Sequence, residues 1–350
     1  MPTTIHGTNG ITFNDGSTQT TRPAVGFRNK IINGDMRIWQ RATTISNPTS
    51  ANFYTADRWG CNRASDVTGA TVSRDISGLS GFEYSLKLQR TSGNTNTGAL
   101  SLWYSNESTN TYDLAGSPVT LSFWVKTGAN YSGGVLNVVV YSGTGTDQRV
   151  YAYTAATSIV STSQAITSTW TRYAFTGTVP SNSTELGLQI SFTPTGTAGA
   201  DDSVYITGVQ LEAGSTATEF ERRPIGTELA LCQRYYDKSY SMNVAPGTAT
   251  ANGMLNAISE DWAGTWYSGG GSIRFTTEMR RSPDFAYYDS AGTINRFSSL
   301  WNGSMGGNIN PSVTLYTGTK AVAILEGSGG PSGGRSGSPL VCHYTADAEL

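Results

Sequence analysis

Val119, Leu121, Phe123 and Val125 alternate with Thr120, Ser122, Trp124 and Lys126. A period of two is the mark of a strand with one buried and one wet face. Leu186, Leu188, Ile190 and Phe192 alternate with Gly187, Gln189 and Ser191 in the same way. Shorter runs over 85–90, 99–104, 135–141, 172–176 and 203–211 predict further strands. In the last run Val204 and Ile206 hold one phase and Val209 and Leu211 the other. The slip at Thr207-Gly208 predicts a bulge. Seven or more short strands, Gly/Ser/Asn turns and no helical period between them predict an antiparallel β-sandwich over 25–223.

Either side of that span the pattern changes. Residues 1–24 are turn-rich, with an Asp15-Gly16 hairpin signal and only Ile5, Ile11 and Phe13 to bury. Such a segment forms no core alone, so it is expected to dock on something else. Pro224 ends the strand pattern. A short helix is predicted over 227–238, within a linker spanning 224–242, with Thr227 as N-cap and Glu228 and Lys238 at the favoured ends. Leu229, Leu231, Cys232, Tyr235 and Tyr236 give it a wide apolar side, which predicts packing where modules or chains meet. Residues 243–350 read as a smaller β module. Ile273, Phe275, Thr277 and Met279 alternate, and 321–325 and 340–344 are further strands. Gly269-Gly270-Gly271 and the stretch 327–337 are loops, the second long enough to carry a function.

Composition supports the β reading. Gly, Ser, Thr and Asn make up 150 of the 350 residues, and only 14% are charged. The formal net charge of -2 excludes a strong claim on nucleic acid or an anionic membrane. No apolar run approaches the ~20 residues of a membrane span, and Met1 to Gly7 does not resemble a secretory signal. Three distant cysteines, Cys61, Cys232 and Cys342, fit neither a zinc site nor a disulfide framework. No cofactor is expected.

The candidate chemistry is thin for an enzyme. Glycoside cleavage uses two carboxylates about 5–10 Å apart, and Asp201/Asp202, Glu219/Glu221 and Glu260/Asp261 read more simply as turn acids. A nucleophilic triad would have to use His343, in an apolar strand, because His6 is the only other histidine. Asp35, Asp57, Asp201 and Asp202 are hard oxygen donors for calcium, but surface turns explain them better, so no metal site is expected. Arg222-Arg223 and Arg280-Arg281 suit ion pairs between domains or chains better than a nucleic-acid patch. Sugar binding needs aromatic faces beside planar polar groups. Trp262, Trp266 and Tyr267, in Gly/Ser surroundings, and Trp301 are the candidates, joined by Tyr287 and Tyr288. Trp124 faces away from the apolar side of its strand.

Four blocks carry a resemblance. They are Asn33-Gly34-Asp35-Met36-Arg37-Ile38-Trp39-Gln40-Arg41 with Tyr54-Thr55-Ala56-Asp57-Arg58-Trp59, then Val209-Gln210-Leu211-Glu212-Ala213-Gly214 with Ala217 to Glu221, then Leu231 to Tyr236, and the closing His343 to Leu350. In this order they resemble the tail-fibre and receptor-binding proteins of tailed bacteriophages, including those of cyanobacteria and marine bacteria. Gly10 to Gln19 resembles the short attachment motif at fibre ends. The central domain is also similar to jelly-roll carbohydrate-binding modules. Met36 and Arg37 stand where those modules carry Phe and a Glu that helps hold calcium. The resemblance implies a non-enzymatic structural protein of the virion, assembled in the host cytoplasm as a homotrimer and located in the tail. Residues 1–24, through Ile5, Ile11 and Phe13, would attach it to other tail or baseplate proteins. The C-terminal module would meet a host-surface glycan. Trp39 and Trp59, inside the shared blocks, are expected to be architectural. The alternatives are a capsid or neck decoration fibre, and a glycan depolymerase with an intersubunit site.

Overall fold

Alternating side chains force a chain of this kind into sheets that bury one face each. The computed structural model describes residues 4–6, 10–12, 18–19, 27–47, 53–63, 69–258, 270–301, 304–309, 313–326 and 339–350. The fold is mainly β. Near the start, β1 (Thr4–His6), β2 (Gly10–Thr12) and β3 (Thr18–Gln19) form a small antiparallel sheet with Ile5 opposite Ile11. Phe13 and the Asp15-Gly16 turn lie outside the described residues.

The sandwich is built from β4 (Thr44–Asn47), β5 (Phe53–Tyr54), β6 (Gly60–Arg63), β7 (Ala70–Ile76), β8 (Tyr84–Arg90), β9 (Leu100–Ser105), β10 (Pro118–Thr127), β11 (Val135–Gly143), β12 (Thr157–Ala165), β13 (Thr171–Thr178), β14 (Glu185–Phe192) and β15 (Ser203–Ala213). They divide into two six-stranded sheets. The first runs β13-β10-β15-β8-β7-β4 and the second β12-β11-β14-β9-β6-β5. Val119, Leu121, Phe123 and Val125 of the first meet Leu186, Leu188, Ile190 and Phe192 of the second in one core. The expected bulge is present. Between the pairs Ser122–Gln210 and Trp124–Thr207, two residues of β15 oppose Phe123, and Gly208 takes a φ of +61° that favours glycine.

The helix differs from the expectation. α1 spans Ile225–Gln233, starting after Pro224, two residues before the expected start, and ending five residues early. Tyr236–Lys238 instead forms strand β16. Its pairing with β24 (Leu340–Asp347) supplies the backbone partners that a longer helix would have found within itself. The C-terminal module further contains β17 (Leu255–Ile258), β18 (Gly270–Arg274), β19 (Asp284–Tyr288), β20 (Phe297–Trp301), β21 (Ser304–Ile309), β22 (Val313–Thr317) and β23 (Ala321–Glu326). Strand β24 is its hub, pairing with β16, β17, β19 and β20, while β18-β23-β22 forms a second small sheet. The alternation from Ile273 to Met279 stays a strand only to Arg274, because Phe275 N–H bonds back to Lys320 O and the chain turns.

Helix α1 lies where the modules meet, with Cys232 and Tyr235 in the sandwich core and Leu229 and Leu231 packed on it. Three of the sequence blocks singled out above, around Arg41 and Arg58, Tyr235 and Tyr236, and Asp347 and Glu349, converge there. Arg58, only 1% exposed, pairs with the Glu349 carboxylate and donates to Ser105 O at 2.6 Å. Its guanidinium stacks on Tyr235, 3.6 Å from the ring centroid. Arg41 stacks on Tyr236 and bridges Asp347 at 2.9 Å. Arg280 bridges Asp147 at 3.2 Å, and Arg234 bridges Glu107 at 2.5 Å. Trp39 and Trp59 are fully buried, donating to Met36 O and Asn33 O. The basic pairs divide. Arg223 bonds to Glu228 and Arg280 crosses between modules, whereas Arg281 makes a local pair with Asp284.

Removing one partner of a buried pair strands the other charge. Arg58→Met should therefore cost about 3–5 kcal/mol in urea unfolding; a change under about 0.5 kcal/mol would refute the buried pair as the tie between modules. A second outcome concerns Asp57, which accepts hydrogen bonds from Gln40 N and Nε2. Burial pushes its carboxyl up to about 6, against the opposing pull of Arg41. The folded state therefore holds this proton more tightly than the unfolded one. Stability from Asp57 is full below about pH 4 and lost as pH rises through 6, by roughly 3 kcal/mol. The wild type minus Asp57→Asn difference in unfolding free energy should fall over that window; a flat difference refutes the shift.

Candidate functional site

The second sheet turns Leu100, Leu102, Val138, Val140, Leu188 and Ile190 into the core. The intervening residues must then face outward. Register places Ser161, Val139, Gln189, Trp103 and Gly60 in one row across β12, β11, β14, β9 and β6. Ser163, Asn137, Ser191, Ser101 and Asn62 form the next row. Neither row contains a charged residue. Gln189 Nε2 donates to Ser101 Oγ at 3.1 Å, and Ser163 Oγ to Asn137 Oδ1 at 2.7 Å. Both amides are half-buried, and each keeps further donor and acceptor capacity.

Aromatic side chains close one end of this face. Trp103 lies over Gly60, where an added Cβ would stand 2.0 Å from the ring. Tyr54 and Tyr151 pack edge-on against Trp103, with centroids at 5.0 and 5.5 Å. Val150 and Tyr153 complete the cluster, and Tyr141 packs on it, half-buried. Tyr151 is 47% exposed at the rim. Trp103 Nε1 is buried with no hydrogen-bond partner among the described residues. Behind the cluster Glu185 accepts from Gly145 N at 3.1 Å and Gln148 N at 2.6 Å. Burial raises its carboxyl pKa, and these N–H groups oppose the rise.

None of the sequence candidates among the described side chains lies on this face. Trp262, Trp266 and Tyr267 lie outside the described residues, as do Glu260 and Asp261. Trp301 ends β20, with its side chain outside the description. Tyr287 is buried against Phe297, so it packs the core of the C-terminal module. Ile5 and Ile11 sit opposite one another in the first small sheet. Trp124 is half-buried on the outer face of the first sheet, as its strand phase requires. Among the acids, Asp202 pairs with buried Arg90, Asp201 with Lys87, and Asp35 with Arg37. No group of His, Cys, Asp and Glu suited to a metal occurs among the described residues.

His343 does meet a serine. Its Nδ1 lies 2.9 Å from Ser239 Oγ and its Nε2 3.2 Å from Thr250 O. The carbonyl fixes the proton on Nε2, so Ser239 donates to Nδ1 while accepting from Tyr344 N at 3.0 Å. Burial lowers the imidazole pKa, with the Thr250 carbonyl opposing. The ring is fully buried and stacked on Tyr240 at 3.8 Å. The pair fastens β24 to the loop beside it.

No protein-family model and no curated protein matches the chain. Among solved structures it is similar to the enzymatically active domain of tailspike protein 4 of bacteriophage CBA120, at 14% identity, 54% of this chain, 22% of that one and a TM-score of 0.34. It spans less than a quarter of that tailspike domain's length. It is also similar to TmCBM61 in complex with β-1,4-galactotriose, at 14% identity, 53% and 99% coverage and a TM-score of 0.32. A CBM4 structure follows, at 23% identity, 52% and 98% coverage and a TM-score of 0.31.

Gly60 is the position that admits the Trp103 ring. Gly60→Ala should displace the indole and cost about 1–3 kcal/mol, with a changed near-ultraviolet dichroism. An unchanged melting temperature and spectrum would show that the ring does not lie on Gly60.

Proposed function

We propose that the chain is a glycan-binding structural protein of a phage tail fibre and holds neutral host-surface sugars on the outer face of the second sheet. One observation carries the binding half of this reading: the uncharged rows of Asn137 and Gln189 run into the Trp103 cluster, on which Tyr141 packs and which the exposed Tyr151 closes at the rim. A pyranose ring has an apolar C–H face and a rim of hydroxyls. Aromatic rings take the first, and amides, which both donate and accept, take the second. The two strand rows carry no charge, which favours a neutral sugar on them, since no ion there has to be desolvated without a partner; Arg149 bonds to Tyr151 Oη at the rim.

The virion half rests on the sequence blocks shared with phage fibres. On this reading residues 1–24 dock on other tail or baseplate proteins through Ile5, Ile11 and Phe13, and the chain is a homotrimer. One site binding near millimolar is worth about 4 kcal/mol. Three linked copies raise avidity by ~10²–10⁴ without a new contact. The acids Asp201 and Asp202 are engaged by Lys87 and Arg90, which supports binding without cleavage.

Neutral oligosaccharides displayed on an array should retain the purified chain. Tyr141→Ala and Gln189→Ala should each weaken retention on the order of tenfold, with melting curves confirming that each variant folds and no reducing ends released. Silence of both variants, with loss on Trp262→Ala or Trp266→Ala, would move the site to the C-terminal module. Release of reducing ends would make the chain a depolymerase.

A further inference from the structure

The opposite side of the sandwich carries the charge that the second sheet's face lacks. On the first sheet, a row crosses three neighbouring strands and reaches Trp170, the residue before β13. Lys126 on β10 pairs in register with Tyr205 on β15, and Tyr205 with Lys87 on β8. Trp170 stands beside Lys126, one residue before Thr171, the partner of Val125. Lys126 Nζ lies 5.1 Å from the Trp170 ring centroid and 4.8 Å from that of Tyr205. Lys87 Nζ lies 5.1 Å from Tyr205. The row therefore alternates ring, ammonium, ring, ammonium. Both rings are held in place, since Trp170 Nε1 donates to Ser77 O at 2.8 Å and Tyr205 Oη to Asp201 Oδ1 at 3.2 Å. Strand spacing puts the two lysine positions roughly 10 Å apart.

The charges along this row do not balance. Lys87 bridges Asp201 at 3.0 Å. Asp201 is engaged further by Ser203 Oγ at 2.7 Å and Ala129 N at 3.1 Å. Lys126 bridges no carboxylate among the described residues. Arg172, opposite Trp124, bonds among the described residues to the neutral oxygens Ser122 Oγ, at 3.1 Å, and Thr218 O. The neighbouring part of the face is already covered. Gln210 donates to Glu219 O at 3.2 Å, and Glu212 accepts from Thr218 Oγ1 at 2.6 Å, so the 214–221 loop lies over both. What stays uncovered is a strip of half-buried rings with surplus positive charge. Its complement is a ligand that is flat and apolar on one side and anionic at its edge.

We propose that this strip binds a carboxylate-bearing polysaccharide, with the uronate ring against Trp170 or Tyr205 and its carboxylate on Lys126. The strip shares no residue with the neutral-sugar face and stands without it. An acidic protein partner is the poorer fit, because the strip offers rings and ammonium groups but no aliphatic patch for a protein to bury.

Affinity electrophoresis of the full chain in gels containing polygalacturonate, alginate or hyaluronate tests this. At least one of the three should retard the chain, and methyl-esterified polygalacturonate should not. Lys126→Gln, which removes the charge and shortens the side chain by one atom while keeping a polar N–H, should raise Kd on the order of tenfold. Tyr205→Ala should do the same, with melting curves confirming that each variant folds. Tyr141→Ala, on the opposite face, should behave as wild type, which separates failure here from failure of the neutral-sugar reading. No retardation by any of the three polymers overturns the proposal, as does retardation that Lys126→Gln leaves unchanged. Equal retardation by poly-glutamate also overturns it, and reassigns the strip to acidic proteins.

Discussion

The guanidinium of Arg58 sits out of water between two modules, and most of the architecture is arranged to make that tolerable. A buried cation is affordable only when its hydrogen-bonding edges and its faces are both occupied. Glu349 and the Ser105 carbonyl take the edges, and Tyr235 covers a face. Each partner comes from a different part of the chain: the last residues after β24, the end of β9, and the turn after α1. Arg41 repeats the scheme with Asp347 and Tyr236. The sandwich, the helix and the C-terminal module therefore share one polar junction. Lys238 is drawn in as well, donating to the carbonyls of Gln40, Met242 and Val244. Burial lowers its pKa to about 8.

A rigid junction leaves the outer faces of the sandwich free to specialise. Both sheets obey the same alternation, so whatever is not spent on the core is presented outward. On the second sheet that remainder is serine, amide and tyrosine. On the uncovered strip of the first it is lysine beside aromatic rings. The difference lies wholly in the polar phase of the strands. Two ligand chemistries can thus be carried by one fold without changing the residues that hold it together.

Much of this was legible because period two is a local signal. Strands β10 and β14, and the bulge at Thr207-Gly208, follow directly from which positions are apolar. Strand β12 was not legible, since Thr157–Ala165 is a mostly exposed edge strand in which polar residues occupy both phases. The end of α1 was misplaced because Tyr236–Lys238 is claimed by β24, a partner about a hundred residues away. The second-sheet face was half visible. Gln189 stands in the polar phase of an evident strand, but only register brings it beside Asn137 and Ser101. Trp103 was missed although it breaks phase between Leu102 and Tyr104. Its signal was a large ring on the outward phase, and the glycine that receives it, Gly60, is far away in sequence.

The central claim is that sugar recognition belongs to the outer face of the second sheet. Amide hydrogen exchange of the full chain, with and without the neutral oligosaccharide it retains best, tests this most directly. Slowed exchange should concentrate in β9, β11 and β14 and in the 144–153 loop beside Tyr151, where bound sugar would cover the strands and restrain their opening. Slowing confined to the C-terminal module, with those three strands unchanged, would contradict the account.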